Sequence, residues 1–367
     1  MEIMGVLNLD NEQDFLNELT YFRCGAAVPF GGRYRLIDFG ISNMTNAGMA
    51  DIAVFTRKKY RSLMDHLGKG KAWDLDTKYG GLFILPPDWN DPTDVSKGDL
   101  QHFHNNKNYF YRGKADYVLI SGSQHICNID YQEVFEQHVK TNADITVIYK
   151  KVDMLEPEHK QCQKLETSHA GHVLKVTNEE YNNNVYMNMY LVNKKLLLQL
   201  VEHGIAHGAA HFFNDCIASE LANLNVQAFE YKGVHSVINS VQSFYKNNLK
   251  LLDPDFYRQL FYSEQTILTK VKNEPPARYL HGADVTNSLV GNGCIIEGTV
   301  ENSILFRGVV VKKGAVVKNA IIMQRCEIQE NTILENVILD KDVTLTEGKR
   351  LIGNEHMPFV IPKQKVI

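Results

Sequence analysis

The chain has 367 residues, 44% of them hydrophobic and 22% charged, and its 39 Lys and Arg against 43 Asp and Glu give a net charge of −4. This length suggests two domains, and the composition is typical of a core-forming chain rather than a disordered one. The lack of a basic excess argues against binding to nucleic acid or an anionic membrane. Because the sequence has no signal-peptide pattern, no apolar run of ~18 residues and no CxxC pair among its six cysteines, we expect a cytoplasmic protein with free thiols.

The first 250 residues alternate short apolar runs with helical patterns, which is typical of a mostly parallel α/β sheet. The predicted strands are Ile3–Leu7, Asp51–Thr56, Tyr117–Ser121, Asp144–Lys150, Tyr186–Val192 and Val226–Tyr231. The predicted helices are Ile41–Ala47, Tyr60–His66, Tyr131–Thr141, Lys194–His203 and Phe212–Leu224. We therefore predict a Rossmann-like α/β domain over residues 1–253, which binds ligands beyond the carboxyl ends of its strands, followed by a linker over 254–280.

After His281, apolar residues recur every five or six positions, with Asn and Gly between them. The repeating residues are Val285, Val290, Ile295, Val300, Leu305, Val310, Val316 and Ile321, and then Ile328, Ile333, Ile338 and Val343. One apolar residue per short strand and three strands per coil describe a hexapeptide-repeat β-helix, in which each coil buries its inward residues against its neighbours. The sequence thus predicts a C-terminal left-handed parallel β-helix over residues 281–367.

Several motifs resemble those of bacterial ADP-glucose pyrophosphorylases (glucose-1-phosphate adenylyltransferases). The segment Ala27–Phe39 reads AVPFGGRYRLIDF, Ser62–Leu67 reads SLMDHL, and Asn302–Val309 in the β-helix reads NSILFRGV. The resemblance covers nearly the whole chain. It implies nucleotidyl transfer, in which an oxygen of glucose-1-phosphate attacks the α-phosphorus of ATP and pyrophosphate leaves. Such a transfer needs a phosphate-binding loop, basic side chains and carboxylates that hold Mg²⁺.

The chain departs from the family pattern at each of these parts. In place of the family's Gly-Gly-x-Gly-x-Arg loop it has Asn8–Asp14, NLDNEQD, with no glycine, no cation and three carboxylates. Gly25 replaces the lysine of the family's Lys-Pro-Ala-Val motif, and Gln124 and Val237 replace the two metal-binding aspartates. We therefore predict a degenerate active site, with no catalytic residue and no cofactor or metal bound by this chain.

This pattern resembles the D-type, regulatory subunit of the bacterial enzyme. The resemblance implies a non-catalytic role in glycogen biosynthesis, in which the chain activates a catalytic subunit that requires Mg²⁺. It implies a heterotetramer with that subunit, and a homo-oligomer is left open as an alternative. By position, Arg23, Arg33 and Arg35 match basic residues that contact anionic effectors in the family. Guanidinium groups suit phosphometabolites because they donate forked hydrogen bonds.

Other functions stay open at this point. A divergent active transferase would need metal ligands rebuilt from Asp10, Asp14 or Asp215, and a pure assembly module would bind no metabolite. A hexapeptide acyltransferase would need a histidine base in the β-helix, and the sequence has none between His281 and His356. His102, in the polar loop 101–108, is expected to be exposed, and zinc binding by His203, His207 and His211 is disfavoured because glycines weaken their helix.

Overall fold

A computed structural model describes residues 3–10, 12, 16–56, 58–78, 80–87, 98–263 and 265–367. Its N-terminal part is built on a nine-stranded sheet flanked by helices. The strands of this part are β1 Ile3–Asn8, β2 Pro29–Phe30, β3 Tyr34–Arg35, β4 Asp51–Phe55, β5 Gly81–Leu85, β6 Tyr117–Ser121, β7 His125–Cys127, β8 Ile145–Lys151, β9 Lys164–Thr167, β10 Val173–Thr177, β11 Asn184–Asn193, β12 Val226–Glu230 and β13 His235–Val237. The helices are α1 Leu36–Asn46, α2 Arg61–Leu67, α3 Leu100–Asn105, α4 Lys107–Arg112, α5 Tyr131–Lys140, α6 Pro157–Lys160, α7 Lys194–Ala206, α8 Val241–Leu249 and α9 Pro254–Phe261.

The main sheet runs in the order β12-β8-β11-β6-β1-β4-β5, and β9 and β10 extend it beside the start of β11. Strands β6, β1, β4 and β5 are parallel, whereas β11 is antiparallel to both β6 and β8. Chain order reverses at β1, because β4 lies on one side of it and β6 on the other. The crevice beyond the carboxyl ends of β1 and β6 is therefore the position where this kind of sheet binds ligands.

Helices cover both faces of the sheet, as its apolar strands require. Residues 212–218 form wide turns of π type rather than the α-helix predicted over Phe212–Leu224. The buried strands β1 and β6 are fully apolar except for Asn8 and Ser121, so their stability comes from burial on both faces. No helix in the described part of the chain is long and apolar enough to cross a membrane.

The C-terminal part is a β-helix of fifteen short strands that stack in three parallel sheets of five, which is the arrangement of a left-handed parallel β-helix. The predicted fold class is thus confirmed for both parts. The strands are β14 Arg278–Tyr279, β15 Asp284–Thr286, β16 Leu289–Val290, β17 Ile295–Ile296, β18 Thr299–Glu301, β19 Ile304–Leu305, β20 Val310–Val311, β21 Val316–Lys318, β22 Ile321–Ile322, β23 Glu327–Ile328, β24 Ile333–Glu335, β25 Val337–Leu339, β26 Thr344–Leu345, β27 Arg350–Ile352 and β28 Phe359–Ile361.

The predicted inward residues of this β-helix are wrong by one position at several strands. Ile296, Val311, Val317 and Leu334 fill the interior, whereas their predicted neighbours Ile295, Val310, Val316 and Ile333 are only partly buried or exposed. Side chains alternate across a strand, so a shift of one residue exchanges the inner and outer faces. Where two apolar residues are adjacent, the sequence does not tell which of them faces inward.

One outer face of the β-helix packs against the α/β domain, so the two parts share an apolar core. We call the five residues of this face the docking ladder: Ile304, Phe306, Ile321, Met323 and Ile338. They join a buried cluster that includes Phe30, Phe244 and Leu260. The segment 254–280, predicted as a linker, begins with helix α9, whose Phe256 and Leu260 are buried in this same cluster.

Candidate functional site

The crevice beyond β1 and β6 is occupied by a carboxylate of the chain itself. Glu12 lies in the loop after β1, and its Oε2 accepts a hydrogen bond of 2.6 Å from Ser123 Oγ in the turn after β6. Its Oε1 accepts from the backbone N–H of Ser123, and the N–H of Gln124 also contributes. Amide groups at such a turn are the donors that a phosphate group would use. In this structure Glu12 already takes them.

Burial raises the pKa of Glu12 to about 7, although its hydrogen bonds with Ser123 act in the opposite direction. The residue as a whole is only half-buried, yet desolvation of the carboxyl group is the largest contribution. A carboxylate here also repels any phosphate that approaches the turn.

Two further acidic side chains near β1 are buried and engaged in internal contacts. Asp10 Oδ2 lies 2.7 Å from Nδ1 of His102, whose ring stacks on Phe55. Asn8 donates a 2.6 Å hydrogen bond to Asp99. The prediction that His102 is exposed is therefore wrong, because helix α3 turns this side chain inward to pair with Asp10.

The two positions predicted to replace the family's metal-binding aspartates, Gln124 and Val237, come together in space. Strands β7 and β13 pair with Val237 opposite His125, and the N–H of Ile238 donates a 2.8 Å hydrogen bond to the carbonyl of Gln124. Val237 is buried and offers only methyl groups, and Gln124 offers a neutral amide, a poor ligand for Mg²⁺. Among the described residues, no three His, Cys, Asp or Glu side chains cluster as metal ligands. These residues do not fit Mg²⁺.

Gly25, which is predicted to replace the lysine of the family motif, is not crowded by its neighbours. Gly25 begins a single helical turn, Gly25–Ala27, and a Cβ atom added to it would meet no other atom within 4 Å. Crowding at the Cβ atom is therefore not what excludes a side chain at this position.

The three arginines predicted to bind an effector lie in different environments. Arg23 is buried and its Nη2 forms a 2.7 Å ion pair with Asp340 of the β-helix. Arg35 is half-buried and its Nη1 donates to the carbonyl and hydroxyl oxygens of Ser62, at 2.6 and 3.0 Å. Arg33 is exposed and lies over the ring of Tyr34, 5.4 Å from its centroid. Only Arg33 is freely accessible to an incoming anion, and the effector role of all three stays a prediction.

The β-helix adds further cations next to these arginines. Burial, together with the charges of Arg35 and Arg23, lowers the pKa of Lys341 to about 7. Burial also lowers the pKa of Arg307, and Arg33 acts on it in the same direction. We call Arg33, Arg35, Arg307 and Lys341 the junction cations, because they meet where the two domains join. Their mutual repulsion would be relieved by a bound anion.

The other candidate ligands have structural contacts of their own. Asp215 Oδ2 accepts hydrogen bonds of 2.8 Å from the backbone N–H groups of Ala210 and His211, which lowers its pKa. Asp14 lies outside the described residues. Asp10 and Asp215 are thus held by separate internal contacts, which leaves the rebuilt metal site without support.

Comparison with known proteins agrees with this architecture. The model of the nucleotidyl transferase family matches residues 16–229, and the model of the GlmU-like C-terminal hexapeptide matches residues 275–357. The chain belongs to the nucleotidyl transferase family.

Relatives that match most of the chain assign it more specifically within this family, and they confirm its resemblance to ADP-glucose pyrophosphorylases. The chain is 38% identical to the glycogen biosynthesis protein GlgD of Bacillus subtilis, over 99% of the chain and 96% of that relative. It is 39% identical to GlgD of Geobacillus stearothermophilus, over 86% of the chain and 82% of that relative. It is also 32% identical to the glucose-1-phosphate adenylyltransferase of Geobacillus stearothermophilus, over 82% of the chain and 79% of that relative.

Glu12 and Lys341 are elements of the site that were not predicted from the sequence. Glu12 appeared only as one of three acidic residues in a loop, and its partner Ser123 is 111 positions away. Lys341 lies in the last coils of the β-helix, and only the docking of that domain brings it near Arg35.

Proposed function

We propose that the chain is the regulatory subunit of a glucose-1-phosphate adenylyltransferase in bacterial glycogen biosynthesis. It activates a catalytic partner that makes ADP-glucose and pyrophosphate from ATP and glucose-1-phosphate and that supplies the Mg²⁺ site. The complex is a cytoplasmic heterotetramer. Docking favours the active conformation of the partner by as much free energy as the two conformations differ in their affinity for this chain.

The main support for a non-catalytic role is that the Glu12 carboxylate accepts the hydrogen bonds of the Ser123 N–H and hydroxyl groups. The neutral side chains of Gln124 and Val237 add to this support. Loss of a single preorganised donor costs about 10²–10³ in rate, and here the phosphate loop, the lysine and both metal ligands are missing. These losses need not add, because residues that act as a unit are non-additive. Even so, the sequence has no phosphate loop, lysine or metal-binding aspartate at the expected positions to stabilise charge on a leaving pyrophosphate.

We expect the purified chain to release no pyrophosphate above background from ATP, glucose-1-phosphate and Mg²⁺. The same chain, titrated into the catalytic subunit, should raise the rate of ADP-glucose synthesis until the two are present in their binding ratio. The catalytic subunit alone provides the positive control for the assay. Turnover by the isolated chain would mean that the site was rebuilt, and the proposed role would then be wrong.

The junction cations are proposed to bind an anionic effector such as a sugar bisphosphate. Arg33→Ala should raise the effector concentration for half-maximal response about tenfold, the value of one charge-assisted hydrogen bond. Arg35→Ala should act in the same direction, but it also removes the contacts with Ser62. Because anion binding favours protonated Lys341, the effector should bind more tightly as pH falls through about 7.

The measurement is the rate of ADP-glucose synthesis by the reconstituted complex as a function of the concentration of a hexose bisphosphate. Size-exclusion chromatography shows whether assembly is retained. Arg112→Ala, which removes an exposed arginine on α4, is the matched control and should leave the response unchanged. Identical effector curves for wild type and Arg33→Ala would remove Arg33 from the proposed site.

A further inference from the structure

A groove lies at the edge of the main sheet opposite to the crevice. It consists of two adjoining cavities of about 840 and 420 Å³, which share the residues Tyr117, Asn193, Lys195 and Gln199. Each volume is within the range of ligand sites, about 300–1,000 Å³. Strand β6 begins at Tyr117 and the antiparallel β11 ends at Asn193, so the groove lies at the amino end of β6, whereas the turn at Ser123 follows its carboxyl end. The groove is therefore separate from the degenerate active site.

Two tyrosine rings give this groove apolar surfaces. Tyr111 at the end of α4 is 63% exposed, although it is a large aromatic residue. Tyr117 is half-buried, and the rings of Phe135 and His138 pack nearly perpendicular to it, with centroids 5.1 and 5.4 Å away. Leu198 of α7 adds an aliphatic surface. Exposed apolar side chains that line a groove mark a binding site rather than part of the core.

Polar side chains of both signs surround these rings. One face of α7 supplies Lys195, Gln199 and Glu202, because residues three or four positions apart are neighbours on a helix. Asp116, just before β6, also lines the groove. In the part of the chain that the structure describes, the side chains of Asp116, Lys195 and Gln199 form no hydrogen bond or ion pair. Glu202, by contrast, pairs with Lys107. The groove thus offers free donors and free acceptors to a ligand.

This lining favours an uncharged ligand that is rich in hydroxyl groups. A hydroxyl group both donates and accepts, so an ammonium, a carboxamide and a carboxylate can all bond to it. A phosphate group would be repelled by the carboxylates of Asp116 and Glu202, and no arginine is among the described residues that line either cavity. Lys194 already donates to the carbonyl of Gly113 at 2.8 Å. An oligosaccharide satisfies the whole lining, because its rings pack on aromatic faces and its length suits two adjoining cavities.

We propose that this groove binds a linear α-glucan chain, with sugar rings packed on the two tyrosines and hydroxyl groups bonded to Asp116, Lys195 and Gln199. The lining itself selects an uncharged oligosaccharide, and the choice of an α-glucan rests on the proposed role in glycogen biosynthesis. Through this contact the chain holds the complex at the polymer for which ADP-glucose is made.

The test is binding of maltoheptaose to the full chain by titration calorimetry, together with retardation of the chain in native gels that contain glycogen. Tyr111→Ala should weaken maltoheptaose binding about three- to tenfold, the value of one aromatic contact. Its melting temperature should stay unchanged, because this side chain is mostly exposed. Tyr181→Ala is the matched control and should not change binding, because it removes a 79% exposed tyrosine before β11, at the other end of that strand.

Two further measurements identify the ligand class. Binding of an uncharged chain should change little between about 0.05 and 0.5 M NaCl, since there is no ligand charge to screen, and cellohexaose should bind more weakly than maltoheptaose. Absence of maltoheptaose binding by the folded wild type would overturn the inference. Binding that persists unchanged in both Tyr111→Ala and Asp116→Ala, or equal affinity for cellohexaose, would overturn it as well. These measurements use the chain alone, so none of them bears on activation of the catalytic partner.

Discussion

Replacement of Arg23 with alanine is expected to lower the free energy of unfolding by about 3–5 kcal/mol, the cost of leaving one partner of a buried ion pair uncompensated. Arg23 and Asp340 are 4% and 3% exposed and are the two halves of a 2.7 Å contact between the domains. Removal of the guanidinium leaves a carboxylate enclosed at the junction. Urea denaturation, followed by circular dichroism and tryptophan fluorescence, measures the change.

The matched control is Arg258→Ala. Its ion pair with Asp255 is long, at 3.6 Å, and both side chains are more than 70% exposed, so its loss should cost less than about 1 kcal/mol. The double variant Arg23→Met, Asp340→Leu removes both charges and should recover most of the stability lost in Arg23→Ala. A single variant as stable as the control would show that water enters the junction and that the pair is not isolated from solvent.

The second large effect concerns Glu12 and pH. Because burial raises the pKa of Glu12 from its ordinary value of 4.5 to about 7, the folded chain binds this proton more tightly than the unfolded chain does. The stabilisation is fully present below about pH 4.5 and is lost as pH rises through about 7. Each unit of pKa shift corresponds to about 1.4 kcal/mol, so this group accounts for up to about 3 kcal/mol.

Glu12→Gln should therefore be more stable than wild type above pH 7, and its stability should depend less on pH between 4.5 and 7. A glutamine keeps an oxygen for the N–H of Ser123, and its amide can donate to the hydroxyl oxygen of the same residue. Glu133→Gln, an exposed position on α5, should change neither quantity. Parallel pH profiles for wild type and Glu12→Gln would contradict the buried position of this carboxylate.

The six strands predicted for the α/β domain are all present, but strands β5, β9 and β10 of the same sheet and the contacts between distant residues were not predicted. Tyr117–Ser121 was predicted with its observed bounds because its apolar residues form a buried parallel strand with clear ends. The inward positions of the β-helix were wrong by one residue where Ile295 and Ile296 are both apolar. Periodicity alone cannot separate two such neighbours, since packing decides between them.

The candidate site shows the same division. The absence of a phosphate loop at residues 8–14 and of aspartates at Gln124 and Val237 could be read from the sequence. The hydrogen bonds between Glu12 and Ser123 could not be read from the sequence, because they depend on which residues meet across the folded sheet. The burial of Arg23 could not be predicted from the sequence either, because its partner Asp340 is 317 positions away.

The docking ladder constrains how this chain can change by recombination. Ile304, Ile321 and Ile338 are equivalent residues of successive coils, 17 positions apart, and each presents its side chain to the α/β domain. A β-helix taken from a relative would pack against this α/β domain in the same way only if it carried the same three coils and an aspartate at the position of Asp340. The coils on either side add to the same contact, because Leu289 and Val360 pack against this cluster and Lys363 Nζ lies 4.6 Å from the ring centroid of Phe22. The gain or loss of a whole repeat at either end would therefore also disturb the junction.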